Sequence, residues 1–257
     1  MKISNLNIIL FVVLIIAISY KSNAQENTKK DFSLWTWFQL EKKIGKKHSI
    51  EFQYQARFNQ NVTQFNRSNF YFMYGLDFKK KYNAEILYQL TTNHKTDQHT
   101  FFFGLTYKHP LTRRTSFFYR TSVQAVRNYF TGEMYSDKPY VEFRNRVRFS
   151  YKINKMFGMA VSGEPYIKHS YKHYAYLSRI RFVTHLNYKY NKYQSFAAFY
   201  LIEPDIISFS QPKIDFVLGI TYHLKVPGKK KNFKNFFKPY SKSKEDFEND
   251  NLKDSFN

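Results

Sequence analysis

Glu142, Arg144, Arg146, Arg148 and Lys152 occupy same-parity positions of a single segment and form the densest concentration of chemical groups in the chain. Phe143, Val147, Phe149, Tyr151 and Ile153 fill the positions between them. The stretch from Ser178 to Phe182 repeats the arrangement with Arg179 and Arg181, and Arg57, Arg120 and Arg127 add further guanidinium groups. Glu51, Glu85, Glu142 and Glu164 are the acids placed to meet them. Two chemistries fit this inventory. A cationic face around a passage favours anions or holds an anionic ligand. Alternatively, Arg–Glu pairs brace a wall that its own side chains fill. The expected network is Arg57, Arg120, Glu142, Arg144, Arg146, Arg148, Glu164, Arg179 and Arg181.

Catalytic and metal-binding patterns are weak by comparison. Hydrolysis of a lipid ester needs a serine, a histidine and an orienting polar group that converge. His48-Ser49 and His169-Ser170 are adjacent pairs, and adjacent residues of a strand face opposite ways. His94-Lys95-Thr96 has the required separation but no serine. His169 and His173 stand four apart, a spacing that brings ligands together on a helix only. The eight glycines form no phosphate-cradling cluster. No catalytic residue, metal ligand or cofactor is therefore expected, and the protein reads as non-enzymatic.

The elements that must position these groups are strands. From Ile50 through Phe52, Tyr54 and Ala56 to Phe58 every second residue is apolar, with Glu51, Gln53, Gln55 and Arg57 between. Alternate side chains of a strand point to opposite faces, so each segment has one oily and one wet face. Eleven such segments are expected, at 32–44, 48–59, 68–79, 82–92, 99–109, 115–127, 140–153, 156–167, 175–190, 193–202 and 214–225. Their lengths suit strands that cross a bilayer at a tilt. Arginine facing lipid at the bilayer midplane costs about 2–4 kcal/mol, so the arginines must point inward.

Connections alternate between short turns, such as Gly45 to Lys47, and longer polar loops, such as Asn128 to Pro139. The pattern predicts one antiparallel up-and-down transmembrane β-barrel of ten to twelve strands. Short turns lie on the periplasmic side and longer loops on the extracellular side. Eleven is an odd count, whereas bacterial single-chain barrels have even numbers, so either the first segment bends or one end is miscounted. The segment at 194–202 is apolar on both faces, which makes its strand assignment weak. Pro165 marks a bulge or loop edge. Trp35, Trp37, Tyr188, Tyr190, Tyr193 and Tyr222 lie near segment ends, where interfacial aromatic girdles belong.

Flanking sequence sets the compartment. Residues 1–24 read as a signal peptide: Lys2, an apolar run from Ile8 to Ser19, and a small-residue site at Ser22-Asn23-Ala24. A short segment at 25–31 precedes the barrel at 32–226, and a charged tail follows at 227–257, lysine-rich and then acidic. There is no cysteine. The 41 basic against 19 acidic residues give a formal charge of +22, which taken alone suggests nucleic acid. Export removes that partner and leaves phosphate-rich lipid headgroups. The expected location is the outer membrane, with outer-membrane lipids and lipopolysaccharide as partners and the barrel-assembly machinery acting during insertion. The sequence leaves oligomeric state open.

The chain also resembles a family of Gram-negative outer-membrane barrels known only as a domain of unknown function. The likeness runs from Trp35 to Leu224 and rests on Leu40-Glu-Lys-Lys43, Gln55-Ala-Arg-Phe58, the arginine segment at 143–153, Gly163-Glu164 and Arg179-Ile-Arg-Phe182. Gly219, Tyr222 and Leu224 look like the insertion signal of such barrels. The resemblance implies fold and location and supplies no activity. The leading functional reading is a structural barrel or a narrow anion-preferring pore. Two alternatives are an outer-membrane lipid hydrolase or lipid-modifying enzyme, and a secreted soluble β-sandwich that binds an anionic ligand.

Overall fold

The computed structural model of the protein describes residues 29–79, 81–93, 96–130, 139–170, 173–205 and 213–227. They form eleven strands: β1 (Lys29–Ile44), β2 (His48–Asn59), β3 (Gln64–Phe78), β4 (Tyr82–Thr92), β5 (Thr96–Pro110), β6 (Thr115–Phe130), β7 (Tyr140–Lys152), β8 (Phe157–Ser170), β9 (His173–Lys189), β10 (Gln194–Asp205) and β11 (Lys213–Val226). Each strand pairs with its chain neighbours, and the sheet closes into one barrel. The β-sandwich alternative is thereby overturned. The expected segments are all present, and most run further towards the longer connections than the alternation indicated. Barrel pairing begins at Lys29, inside the segment assigned to the leader of the barrel. The proposed signal peptide, the loop histidine His94 and the tail from 228 onward lie outside the described residues.

The odd count is real, and β1 neither bends nor drops out. In a meander of eleven strands the first and last run in the same direction, so the ring can close only in parallel. The pairing of β1 with β11 is parallel from Lys29↔Lys213 to Lys42↔Val226, without a register shift. The other ten pairings are antiparallel. Parallel pairing is slightly weaker per residue, but closure leaves no strand edge to template aggregation. At the β1–β2 turn, Gly45 adopts φ +69°, a left-handed conformation that costs glycine nothing. Pro165 stays within β8 opposite Ile180, and the register shifts just beyond it, between Tyr166 and Ile167.

Register parity sorts the side chains. Phe101, Ile86, Phe72, Phe182 and Ile220 face outward and remain exposed, Phe101 at 62%. An outward chain of rings joins Phe157, Tyr188, Phe196, Tyr222 and Phe38 near the short-turn rim, with centroids 5.0 to 6.5 Å apart, and it crosses the parallel seam. Tyr188 and Tyr222 thus sit in a girdle-like belt, but Trp35 and Trp37 do not. Trp35 packs in the lumen against Phe199, Leu201 and Val217, and Trp37 packs on that cluster. This explains the two-sided apolarity of β10, whose Phe199 and Leu201 fill the lumen beside the seam.

Candidate lumen network

Inward positions alternate with the oily outer ones, and their polar side chains meet in clusters. Arg144 (β7) donates through Nε and Nη2 to Oε1 of Glu164 (β8), at 3.1 and 3.0 Å. Its Nη1 donates to Gln124 (β6) at 3.3 Å. Gln124 in turn donates to Glu142 at 2.5 Å. Glu142 also accepts from Arg179 (β9) at 3.3 Å, a contact that skips β8. Arg120 (β6) pairs with Glu85 (β4) at 2.6 Å, skipping β5. Arg181 (β9) meets Glu203 (β10) at 2.6 Å through Nε and 2.5 Å through Nη2, and Arg179 approaches the other oxygen of Glu203 at 3.9 Å. Contacts that skip a strand are chords across the curved wall, so these side chains occupy the enclosed volume.

Aromatic rings lie among the cations. The guanidinium groups of Arg179, Arg144 and Arg181 stand 4.2, 4.5 and 5.1 Å from the ring centre of Tyr166, which is 1% exposed. The Tyr166 hydroxyl donates to Glu164 at 3.3 Å. Arg57 stacks 3.8 Å from the Trp35 ring, and Arg181 reaches the same ring at 5.7 Å. Arg120 stands 4.5 Å from Phe102. Such cation–π contacts contribute most where water is excluded.

A second cluster, linked to the first through the Trp35 ring shared by Arg57 and Arg181, runs through β2, β3 and β4. Oε1 of Gln55, a residue with no exposed surface, accepts from Arg57 at 2.9 Å, Asn69 at 2.8 Å and Tyr71 at 3.0 Å. Asn69 accepts from Thr91 at 2.6 Å. One carbonyl oxygen with three donors fixes the relative position of two strands.

The nine expected residues therefore all face inward, but not on equal terms. Arg120, Glu142, Arg144, Glu164, Arg179 and Arg181 are ion-paired. Arg57 is held by Gln55 and Trp35. Arg146 lies opposite Arg120, and Arg148 opposite Phe118 and Ser162. Among the described residues no carboxylate comes within ion-pair distance of Arg57, Arg146 or Arg148. The inward assignment of Arg127 is overturned: it pairs with His99 and shares the outer face with Phe101. The cost of an arginine facing lipid suggested otherwise, but parity counted from Arg120 places it on the opposite face. Of the insertion-signal residues, Gly219 faces the lumen beneath Phe199, whereas Tyr222 faces outward in the girdle, and Leu224 shares the outward parity of Tyr222 on β11.

Sequence reasoning missed Glu203, which lies one residue past the expected end of its segment, and the Gln55 hub, which looks like any wet-face glutamine. His48 turns outward and bonds to the Tyr74 hydroxyl at 2.6 Å, while its neighbour Ser49 turns inward towards Gly75. Ser195 and His223 are register partners, and Glu41 lies 3.1 Å from His223 Nε2. No hydrogen bond joins that serine to the histidine among the described residues. Compared with protein families and with characterised proteins, the chain matches none.

Proposed function

We propose that the protein is a non-enzymatic outer-membrane barrel of the Gram-negative type, akin to the domain-of-unknown-function family it resembles. Its lumen is braced and filled by the arginine–glutamate lattice. The observation that carries this reading is the inversion of the usual polarity. Large apolar side chains such as Phe101 and Ile86, 62% and 58% exposed, cover the outside, while Gln55, Glu142 and Glu164 are buried within. In water such a surface promotes aggregation. Against acyl chains it matches its solvent, and the closed ladder pairs strand backbone that lipid could not satisfy. The burial of Gln55, Asn69, Phe102 and Tyr166 supports a filled lumen, because the lining of an open channel stays wet.

A second reading, a narrow anion-preferring pore, is favoured by Arg57, Arg146 and Arg148, which among the described residues have no carboxylate within ion-pair distance. Membrane residence is tested by fractionation and by gel migration in detergent with and without heating. A protein that dissolves without surfactant refutes it. Planar-bilayer recording separates the two lumen readings: the filled barrel gives no steps above background, and the pore gives anion-selective ones.

A further inference from the structure

The outer wall carries one arginine among the described strands, Arg127, and its surroundings form a site. Its register partner is His99, and both share the outer face with Phe101 and Tyr129. His99 Nδ1 lies 2.7 Å from the Tyr88 hydroxyl, its ring meets Tyr129 edge-on at 5.0 Å, and the Arg127 guanidinium stands 4.9 Å from the Tyr129 ring centre. These residues line a surface cavity of about 630 Å³ whose floor includes Phe101 and Ala125. Among the described residues no carboxylate lies within ion-pair distance of Arg127.

Height along the wall identifies what such a cation would meet. Outward positions on β6 read Phe117, Tyr119, Thr121, Val123 and Ala125 before Arg127. At ~3.3 Å per residue and a tilt near ~40°, Phe117 to Ala125 covers about 20 Å of membrane depth, close to the whole apolar band. Arg127 therefore falls at headgroup level on the long-loop side. A guanidinium offers forked donors that suit phosphate oxygens, and the apolar floor below it suits an acyl chain. Resting on the membrane reading above, we propose that Tyr88, His99, Arg127 and Tyr129 bind the phosphate of a phosphorylated lipid of the long-loop-side leaflet.

Native mass spectrometry of the full chain in detergent, titrated with bisphosphorylated lipid A, tests the site. Arg127→Ala is expected to lower lipid occupancy by about tenfold, as loss of one charge-assisted contact implies. Arg127→Lys should retain part of it, and Lys42→Ala, on the outer face near the opposite rim, all of it. Dephosphorylated lipid A should bind the wild type as weakly as phosphorylated lipid A binds Arg127→Ala. Equal binding by Arg127→Ala, equal binding of the dephosphorylated lipid, or equal loss in Lys42→Ala overturns the proposal. So does full displacement by inorganic phosphate, which would make the ligand a free anion. If Arg127→Ala loses heat-dependent migration, Tyr129→Leu removes the ring and keeps the charge, and unchanged occupancy in that variant is equally fatal. A wild type that needs no detergent refutes the membrane reading instead, a result distinct from a folded membrane protein indifferent to Arg127.

Discussion

The ring of Phe199 covers its register partner Gly219 so closely that a Cβ on the glycine would stand 1.8 Å from the ring's Cζ. On the other side Gly219 pairs with Trp35 across the parallel seam. The seam is therefore packed from within by an aromatic cluster that requires one position without a side chain. Gly219→Ala must displace the Phe199 ring, and overpacking of this kind costs about 1–3 kcal/mol. The expected outcome is a lower urea midpoint in detergent micelles. The chain's two tryptophans, Trp35 and Trp37, both belong to the cluster and report it by fluorescence. An unchanged midpoint would mean that the ring moves aside freely.

Glu164 is buried against Arg144 and the Tyr166 hydroxyl. Removing one partner of a buried pair strands the other and costs about 3–5 kcal/mol, whereas replacing both with apolar residues costs far less. Glu164→Leu is accordingly expected to destabilise more than the double variant Arg144→Met/Glu164→Leu. Unfolding titrations of the four proteins of the cycle give the comparison. Additive losses would show that the pair is not coupled.

Tyr166 occupies the space among three guanidinium groups. Its replacement by alanine removes the ring and leaves the cations in place, so Tyr166→Ala is expected to convert a silent barrel into a conducting one. Selectivity should favour anions, because among the described residues no carboxylate lies within ion-pair distance of Arg146 or Arg148. Reversal potentials under a salt gradient read the sign. Cation selectivity would show that the lattice acids dominate the passage.

Leu105 is an outward side chain, 41% exposed, whose register partner Thr121 stands midway along the apolar run from Phe117 to Ala125. At the middle of a bilayer, Leu105→Arg costs about 2–4 kcal/mol, whereas at a watery surface it is close to neutral. Folding efficiency into phosphatidylcholine vesicles, followed by heat-dependent gel migration, is expected to fall for this variant. The lumen-directed control Gln53→Arg should lose less.

Alternation was enough to read the wall of this protein from its residues. Phe70, Phe72 and Tyr74 could lie on one face only, and the strands follow from such runs, except β10, whose apolar residues fill both faces. The inward placement of Arg144, Arg146 and Arg148 followed from the cost of charge in lipid. Partnership was not legible, because contacts across a barrel depend on tilt and register rather than on position in the chain. Glu142 meets Arg179, 37 residues away, and nothing local announces it. Trp35 was misread as a girdle residue because tryptophan serves lumen and interface alike, and strand-end proximity does not reveal which way a ring turns. Arg127 shows the opposite failure: the face was legible by counting from Arg120, but residue type was allowed to override parity.

The parallel seam bears on how such a chain enters a membrane. Strands delivered as hairpins return both their ends to the compartment they came from, and ten of these eleven can be delivered that way. The remaining one cannot: Lys29 and Val226 emerge at opposite rims. In the membrane barrel proposed above, Lys29 and Val226 stand on opposite sides of the bilayer, and epitopes inserted beside them are expected to face different compartments.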